Sequence, residues 1–299
     1  MSALDLLLRT PSLLYGTVGL FGLVVGSFLN VVIHRLPLMM EAAWRRDCAA
    51  LVTDRDSSPA ASDSAETGDR PLSLALPGSH CPHCGHGLRA LENIPLLSFL
   101  WLRGRCSACQ APISPRYPLV EALTALLSIL VVWRLGPGWE AAAALLLTWG
   151  LIALAFIDGE TQLLPDSITL PLLWLGLLFS LEGAFTTPPE AILGAASGYL
   201  FLWSLYWLFK LATGREGMGY GDFKLFALFG AWLGWQALPL ILFLASIVGA
   251  LIGVAVLAYQ GKDRHTPLPF GPYLAAAGWI SLLWGQDISQ VYLSWTGLG

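Results

Sequence analysis

Two aspartates lie within a sequence that is otherwise dominated by apolar runs. Asp158 occurs in the segment AFIDGETQLLPD, and Asp222 occurs in GMGYGDFKL. A carboxylate near the centre of a bilayer costs about 2.5–3.5 kcal/mol on insertion scales, so it usually faces a cavity or a partner. Two carboxyl groups close enough to share one proton can act as base and acid on a water molecule that attacks a peptide bond. The sequence therefore predicts a paired-aspartate hydrolytic site.

Simpler interpretations of each aspartate remain open. Either one could cap a helix at the interface, or pair with Arg215 or Lys224. Proton-coupled transport is the strongest alternative of another class, because transporters also use buried carboxylates and broken helices. Transport predicts inverted repeats in the two halves of the chain, and we find none in the sequence. A membrane scaffold with a partner-binding polar domain would leave both aspartates unexplained.

The cysteines provide a second chemical signal. They form two CxxC pairs with 21 residues between them, just beyond the usual range for a four-cysteine zinc site: Cys81, Cys84, Cys106 and Cys109. Four thiolates leave no open position for water, so a structural Zn²⁺ is predicted rather than a catalytic one. Disulfides are the alternative, which a cytoplasmic location disfavours. Nearby histidines could replace a ligand but are more simply loop residues, and the fifth cysteine is a free thiol: His80, His83, His86 and Cys48.

The composition places the chain in a membrane. It is 56% hydrophobic and 12% charged, with a mean hydropathy of +0.65, whereas soluble domains are about 25% charged. No basic stripe with interleaved aromatic residues indicates nucleic-acid binding. The first apolar run leads to no signal-peptidase site, so we interpret it as a retained span. We expect the lipid bilayer to surround most of the chain.

Apolar runs of roughly 20 residues cross the bilayer as helices. We predict an all-α polytopic membrane protein with about eight transmembrane helices, seven being the chief alternative. Three regions are expected: 1–33, the first transmembrane helix; 34–117, a cytoplasmic domain with the CxxC pairs and a flexible insertion at 53–71; and 118–299, a multi-helix membrane domain. The predicted spans are 12–33, 118–135, 139–157, 164–182, 189–211, 223–236, 237–258 and 269–285.

The distribution of positive charge predicts the orientation. Short cytoplasmic loops are enriched in Lys and Arg. With the N-terminus outside and eight spans, all of the 16 Lys and Arg residues except Arg9 and Arg134 face the cytoplasm. Asp158 then lies at the end of the third span and Asp222 at the start of the sixth. Both carboxylates are therefore expected at the cytoplasmic face.

Several motifs resemble a known family. They are GSFLNVVIHRLP at 26–37, CPHCG, NIPLLSFLWLRGRC and ISPRYPLVE between 93 and 121, FIDGETQLLPD, GYGDFKL, and PFGPYLAAAG at 269–278. In this order they resemble the bacterial type IV prepilin peptidases, intramembrane aspartyl peptidases of the GxGD type. The resemblance covers nearly the whole chain apart from 53–71. It implies that Asp158 and Asp222 are the catalytic pair.

The resemblance also implies a substrate and a second activity. Members of the family cleave the basic leader from type IV prepilins and type II secretion pseudopilins after a Gly, at the cytoplasmic face of the inner membrane. They then methylate the new α-amino group, usually of Phe, with S-adenosylmethionine. We see no Rossmann-type glycine loop, so the candidates for the methyl-donor site are Asn30, His34 and Arg35. An interhelical hydrogen bond for Asn30 and a positive-inside anchor for His34 and Arg35 are the alternatives.

Four further residues near the aspartates are supporting candidates. Gly219 and Gly221 would let a peptide backbone approach closely. Lys224 could tune the local field, or simply face the lipid headgroups. Asp166 could supplement the site, although a cap on a helix beginning at Ser167 or Ile168 is the simpler expectation. The oligomeric state is not indicated by the sequence.

Overall fold

The fold of the chain is helical. A computed structural model describes residues 10–53, 73–260 and 269–296. Across these ranges the only β-pairing is two isolated bridges, at His80–Gly87 and Arg105–Pro112. The predicted insertion at 53–71 lies outside the described residues except for Thr53. The predicted all-α fold class is confirmed.

Each of the eight predicted apolar runs corresponds to a helix. Two 3₁₀ turns, Ala90–Asn93 and Trp235–Ala237, and one short helix, α2, accompany them. The α-helices are α1 Pro11–Thr53, α2 Leu97–Trp101, α3 Arg116–Leu135, α4 Trp139–Thr161, α5 Asp166–Leu181, α6 Pro188–Thr213, α7 Tyr220–Leu233, α8 Leu238–Gln260 and α9 Gly271–Thr296.

Five segments among the described residues are long and apolar enough to cross a bilayer. They lie in α1, α3, α4, α6 and the stretch that includes α8. With its 14 residues, α7 extends only about 21 Å, less than the roughly 30 Å of the hydrocarbon core. The chain is therefore a multi-pass membrane protein, and the number of eight crossings stays a prediction.

The first helix is longer than expected. We predicted a span over residues 12–33, but α1 continues through Pro37 to Thr53. The added segment, MEAAWRRDCAALVT, is rich in Ala, Met, Leu, Glu and Arg, which are strong helix formers in water. Charged residues therefore end the apolar run after residue 33, but the helix continues.

Two compact units make up the chain. One comprises residues up to Gly22 together with those from Leu123 onwards, and the other is Leu23–Ala122. In the first unit α7 is the central element, because ten of its residues are buried. A helix that is apolar on every side is one that other helices surround.

Two glycines hold α7 against α6. A Cβ atom added to Gly194 would overlap the carbonyl of Gly230, and one added to Gly230 would overlap that of Gly194. The two backbones are therefore in direct contact. On another side of α7, Trp232 donates its indole N–H to the Leu172 carbonyl of α5 at 2.8 Å. These contacts fix the helix that carries Asp222.

Candidate active site and cysteine cluster

The structure brings the two predicted aspartates together. Asp158 lies near the end of α4 and Asp222 in the first turn of α7, with 5% and 6% of their surfaces exposed. They are close enough for the charge of Asp158 to act directly on Asp222. Two buried carboxylates from different helices thus share one region of the larger unit.

Asp158 is anchored to the start of α9. Its Oδ2 accepts a hydrogen bond from the backbone N–H of Gly271 at 3.0 Å. A Cβ atom at residue 271 would lie 2.6 Å from that oxygen, so only glycine allows the approach. The N-terminus of a helix favours a negative charge. The contact therefore stabilises the ionised form of Asp158.

The hydrogen bonding of the Asp222 carboxylate is less complete than that of Asp158. Its carboxylate accepts the backbone N–H of Gly219, the residue that precedes α7. Its Oδ1 is buried and has no hydrogen-bond partner in the part of the chain that the structure describes. An unpaired buried acceptor costs about 1–3 kcal/mol. A buried group that carries such a cost is a candidate for a reactive role.

The two glycines of the GYGD segment differ in role. Gly219 precedes α7, whereas Gly221 lies inside its first turn, so the segment is the start of a helix and not an extended strand. A Cβ atom at residue 221 would lie 2.7 Å from Cβ of Leu164. Gly221 therefore makes room for the loop that follows α4, and the expected role in substrate approach stays a prediction for Gly219.

Asp166 and Lys224 form an ion pair, and their supporting role at the active site stays a prediction. The Lys224 ammonium donates to the two carboxylate oxygens of Asp166, each at 2.7 Å. Asp166 is itself the first residue of α5, and no side chain caps that helix, whose preceding residue is Pro165. The predicted cap is wrong, and Lys224 has a protein partner. The pair links the starts of α5 and α7 beside the aspartates.

The three methyl-donor candidates differ in their surroundings. Arg35 is buried and donates to the carbonyls of Ser73, Leu74 and Gly78, which indicates a structural role in the segment before the first CxxC pair. Asn30 donates its amide to the Tyr117 carbonyl at 3.0 Å. This is the predicted interhelical bond. The side chain of His34 is exposed on α1.

The four predicted cysteines converge on one point. All four Sγ atoms lie within 4.8 Å of one another. Two of these distances are 3.8 Å, between Cys81 and Cys109, and 4.0 Å, between Cys84 and Cys106. A tetrahedral Zn²⁺ with bonds of about 2.3 Å separates its sulfurs by about 3.8 Å, so the cluster has the size for zinc. His80, His83 and His86 are not part of this cluster, and Cys48 is a free, exposed thiol.

The two CxxC turns repeat the same backbone structure. In the first, the N–H of Gly85 donates to the Cys81 carbonyl, and in the second the N–H of Gln110 donates to the Cys106 carbonyl. The residue after each pair has a positive φ, 70° at Gly85 and 60° at Gln110. Only glycine adopts this conformation without strain. The first turn is therefore relaxed and the second is strained.

Backbone N–H groups donate to the sulfurs of the two buried cysteines, Cys81 and Cys106. The N–H groups of Cys84 and then His83 lower the pKa of the Cys81 thiol to about 7. The N–H groups of Cys109 and Ala108 lower the pKa of the Cys106 thiol in the same way. Thiolate is the form that binds a metal. Both turns thus favour the ligand form of a buried cysteine.

Glu92 connects the two turns. The backbone N–H of Arg89 donates to its carboxylate at 2.8 Å, and with the Ser107 hydroxyl and His86 it lowers the pKa of Glu92 to about 2. His86 Nε2 lies 3.4 Å from the same carboxylate. His86 lies next to the first CxxC turn and Ser107 lies in the second, so the Glu92 carboxylate holds the two turns together.

Two residues of the sites were missed from the sequence alone. Gly271 had a signal in the PFGPY motif, because a glycine beside a proline at a helix start indicates a tight approach. Glu121 also had one, since it is a carboxylate inside the apolar run 118–135. It is buried in α3, and its Oε2 accepts the backbone N–H of Leu96 at 2.8 Å.

Comparisons with known proteins agree with this geometry. Residues 20–135 match the bacterial peptidase A24 N-terminal domain, and residues 145–254 match the type IV leader peptidase family. A prepilin leader peptidase/N-methyltransferase of Aeromonas hydrophila is 57% identical over 97% of this chain and 98% of its own. The protein of that name from Pseudomonas aeruginosa is 53% identical over 99% of both chains, and that from Dichelobacter nodosus is 50% identical over 96% of both.

No solved structure is a significant match to this chain. The relatives nevertheless extend over almost its whole length, and the two family matches include the cysteine cluster and both aspartates. The chain therefore belongs to the type IV leader peptidase family.

Proposed function

We propose that this protein removes the basic leader from type IV prepilins and type II secretion pseudopilins after a Gly, and then methylates the new N-terminal residue, usually Phe. The buried pair of Asp158 and Asp222 supports the first step most directly. The names of relatives that are 50–57% identical over nearly the whole chain support both steps.

The pair would work as an aspartyl dyad. Two neighbouring carboxyl groups do not both ionise readily, so one keeps a proton. The Gly271 N–H supports the ionised form of Asp158, which would take a proton from the attacking water. Asp222 would give its proton to the carbonyl oxygen as the tetrahedral intermediate forms. As the intermediate breaks, Asp158 would pass the proton it took from water to the leaving amine, and Asp222 would take its proton back from the hydroxyl group. The unpartnered Oδ1 of Asp222 is an oxygen that such a water or carbonyl can contact.

We assign the active site to the cytoplasmic face of the bacterial inner membrane, with the N-terminus outside. A leader that carries positive charge stays on the side where Lys and Arg collect. The predicted cytoplasmic domain at 34–117 holds most of these residues, and 118–299 would form the peptidase domain. Proton transport does not account for the match to the leader peptidase family.

A structural Zn²⁺ fits the cysteine cluster. The thiolates of Cys81, Cys84, Cys106 and Cys109 would hold it, and four sulfur ligands would leave no open position for catalysis. The metal would stabilise the domain that contains the two turns. S-adenosylmethionine would supply the methyl group of the second step.

Cleavage of a purified prepilin by the protein in lipid nanodiscs tests the peptidase. We expect wild type to cut after the leader Gly, and Asp158→Asn and Asp222→Asn to lose cleavage while remaining folded. Asp287→Asn is a matched control, since Asp287 is an exposed aspartate of α9 that pairs with Arg134. Retained cleavage by either dyad variant would remove that residue from the mechanism. A folded wild type that cuts no prepilin would overturn the proposal.

A further inference from the structure

A second buried polar group lies in the smaller unit, between α1 and α3. The Ser27 hydroxyl of α1 donates to the Glu121 carboxylate of α3, and Asn30 donates to the Tyr117 carbonyl. Ser27 and Asn30 are one turn apart on α1, as Tyr117 and Glu121 are on α3, so the two contacts are neighbouring rungs. Asn30 and Glu121 therefore belong to adjacent rungs of the same contact between the two helices.

The two side chains present oxygen acceptors that are not fully used. Asn30 is 3% exposed, and its Oδ1 has no hydrogen-bond partner among the residues that the structure describes. Glu121 is 7% exposed. Its donors, the Leu96 N–H and the Ser27 hydroxyl, are both neutral. They orient the carboxyl group, and neither of them brings a positive charge to it.

The backbone next to Glu121 is strained. Leu96 has φ 58° and ψ −47°, and the N–H of Leu97 donates to the Pro95 carbonyl at 2.6 Å. This is a γ-turn with positive φ, a rare and strained conformation for a leucine. It directs the Leu96 N–H at Glu121 Oε2. The strain is thus associated with the position of this one carboxylate.

A set of buried oxygen acceptors whose donors are all neutral fits a small organic cation, because the cation would supply the positive partner that lets the carboxyl group of Glu121 ionise. We propose that Asn30 and Glu121 bind the cationic group of the methyl-transfer step, either the α-ammonium of the cleaved pilin or the sulfonium of S-adenosylmethionine. The inference rests on the proposed function, since that function supplies both cations. It also changes the assignment of the methyl-transfer site, because Arg35 is occupied by three backbone carbonyls.

The variant Glu121→Gln distinguishes the effect of the negative charge from the effect of the hydrogen bonds. Glutamine keeps an oxygen that can accept from Leu96 and Ser27 but removes the negative charge. Asn30→Leu is a second variant of similar size, which removes the unpartnered Oδ1 together with the hydrogen bond to the Tyr117 carbonyl. The matched control is Ser128→Ala, a buried polar residue of the same helix α3 whose hydroxyl binds Thr124 and Trp149.

Binding to the full chain in nanodiscs is measured by calorimetry with two pairs of probes. One pair is S-adenosylmethionine and S-adenosylhomocysteine, which lacks the sulfonium charge. The other is a synthetic pilin peptide with a free N-terminal Phe and its Nα-acetylated form. We expect Glu121→Gln and Asn30→Leu to weaken the charged member of one pair by at least about tenfold, and its neutral member little. The affected pair identifies the cation.

Unchanged affinities, or equal losses for charged and neutral members, would overturn the inference. Prepilin cleavage checks the wild-type and Ser128→Ala samples, which we expect to be equal, and a fluorescence melt checks that Glu121→Gln and Asn30→Leu remain folded. If wild type cleaves prepilin and binds the donor while Glu121→Gln binds equally well, the inference fails and the proposed function stands. A wild type that binds neither the donor nor the peptide would contradict both.

Discussion

The cysteine cluster and the aspartate pair both gather reactive side chains from distant parts of the chain, but they differ in completeness. In the cluster, all four sulfurs converge on one point, and backbone N–H groups donate to the sulfurs of the two buried cysteines, Cys81 and Cys106. In the pair, Asp158 is anchored by Gly271, whereas one oxygen of Asp222 has no partner among the described residues.

The difference separates a site built for stability from one built for reaction. A closed set of four thiolates has nothing left to offer a substrate. A buried oxygen without a partner destabilises the fold and is available to a reactant. Removing groups from the cluster should therefore affect stability first, and removing charge from the pair should affect activity first.

The largest effect is expected at the pair. Asp222→Asn removes the proton transfer, so cleavage should fall by at least about 10²–10⁴-fold. Because the buried charge also disappears, thermal unfolding in detergent should occur at the same temperature as wild type or a higher one. The two measurements are initial rates on a prepilin and a fluorescence melt. An Asp222→Asn protein that melts well below wild type would break the contrast between the two sites.

The next largest effect is expected from the loss of metal. Cys106→Ser replaces a buried ligand, so the zinc content should fall from about one ion per chain to near zero. Structural zinc contributes on the order of 10 kcal/mol in small zinc domains, and the domain with the two turns should become sensitive to proteases. Elemental analysis and limited proteolysis provide the measurements. Cys48→Ser, at the exposed free thiol, is the control and should keep full zinc content.

A smaller effect is expected from loss of the ion pair between Lys224 and Asp166, which lies at the start of α7 near Asp222. Lys224 and Asp166 are 30% and 52% exposed, so Lys224→Met should lower stability by less than about 1 kcal/mol. Cleavage should still fall several-fold, because the pair positions α5 against α7 beside Asp222. The double variant Asp166→Lys, Lys224→Asp should recover part of the rate. A swapped pair no faster than Lys224→Met would exclude a positioning role.

The smallest effect compares the two cysteine turns. Gln110→Gly relieves a positive φ and should stabilise the domain by about 1 kcal/mol, while Gly85→Ala should destabilise it by a similar amount. Denaturant midpoints with zinc bound measure both. Effects of the same sign in the two turns would contradict their structural equivalence.

The reactive groups were predictable because their types and spacings are local. Two CxxC pairs specify two similar turns. A carboxylate in an apolar run, such as Asp158 or Asp222, is costly to insert in a membrane, so its presence indicates a function. The positions of the helices followed from the apolar runs for the same reason. The end of α1 did not, because the segment after His34 is held by helix propensity and not by hydrophobicity.

The partners of these groups depend on contacts that no local pattern contains. Lys224 meets Asp166 across two helices, and Asp158 meets Gly271 from another. The position of Glu121 beside Asn30 depends on how α1 packs on α3. Each such pair joins residues that are far apart in the sequence. Their chemistry is visible in the sequence, but the choice of partner appears only in the fold.

The glycine contact between α6 and α7 limits how a substrate can reach Asp222. Two helices whose backbones touch at Gly194 and Gly230 leave no room for a peptide between them. We therefore expect α6 to keep its place beside α7. Room for a pilin segment has to come from elements that meet α7 through side chains, such as the loop with Leu164. A substrate is thus expected to enter on a side of α7 other than the one that faces α6.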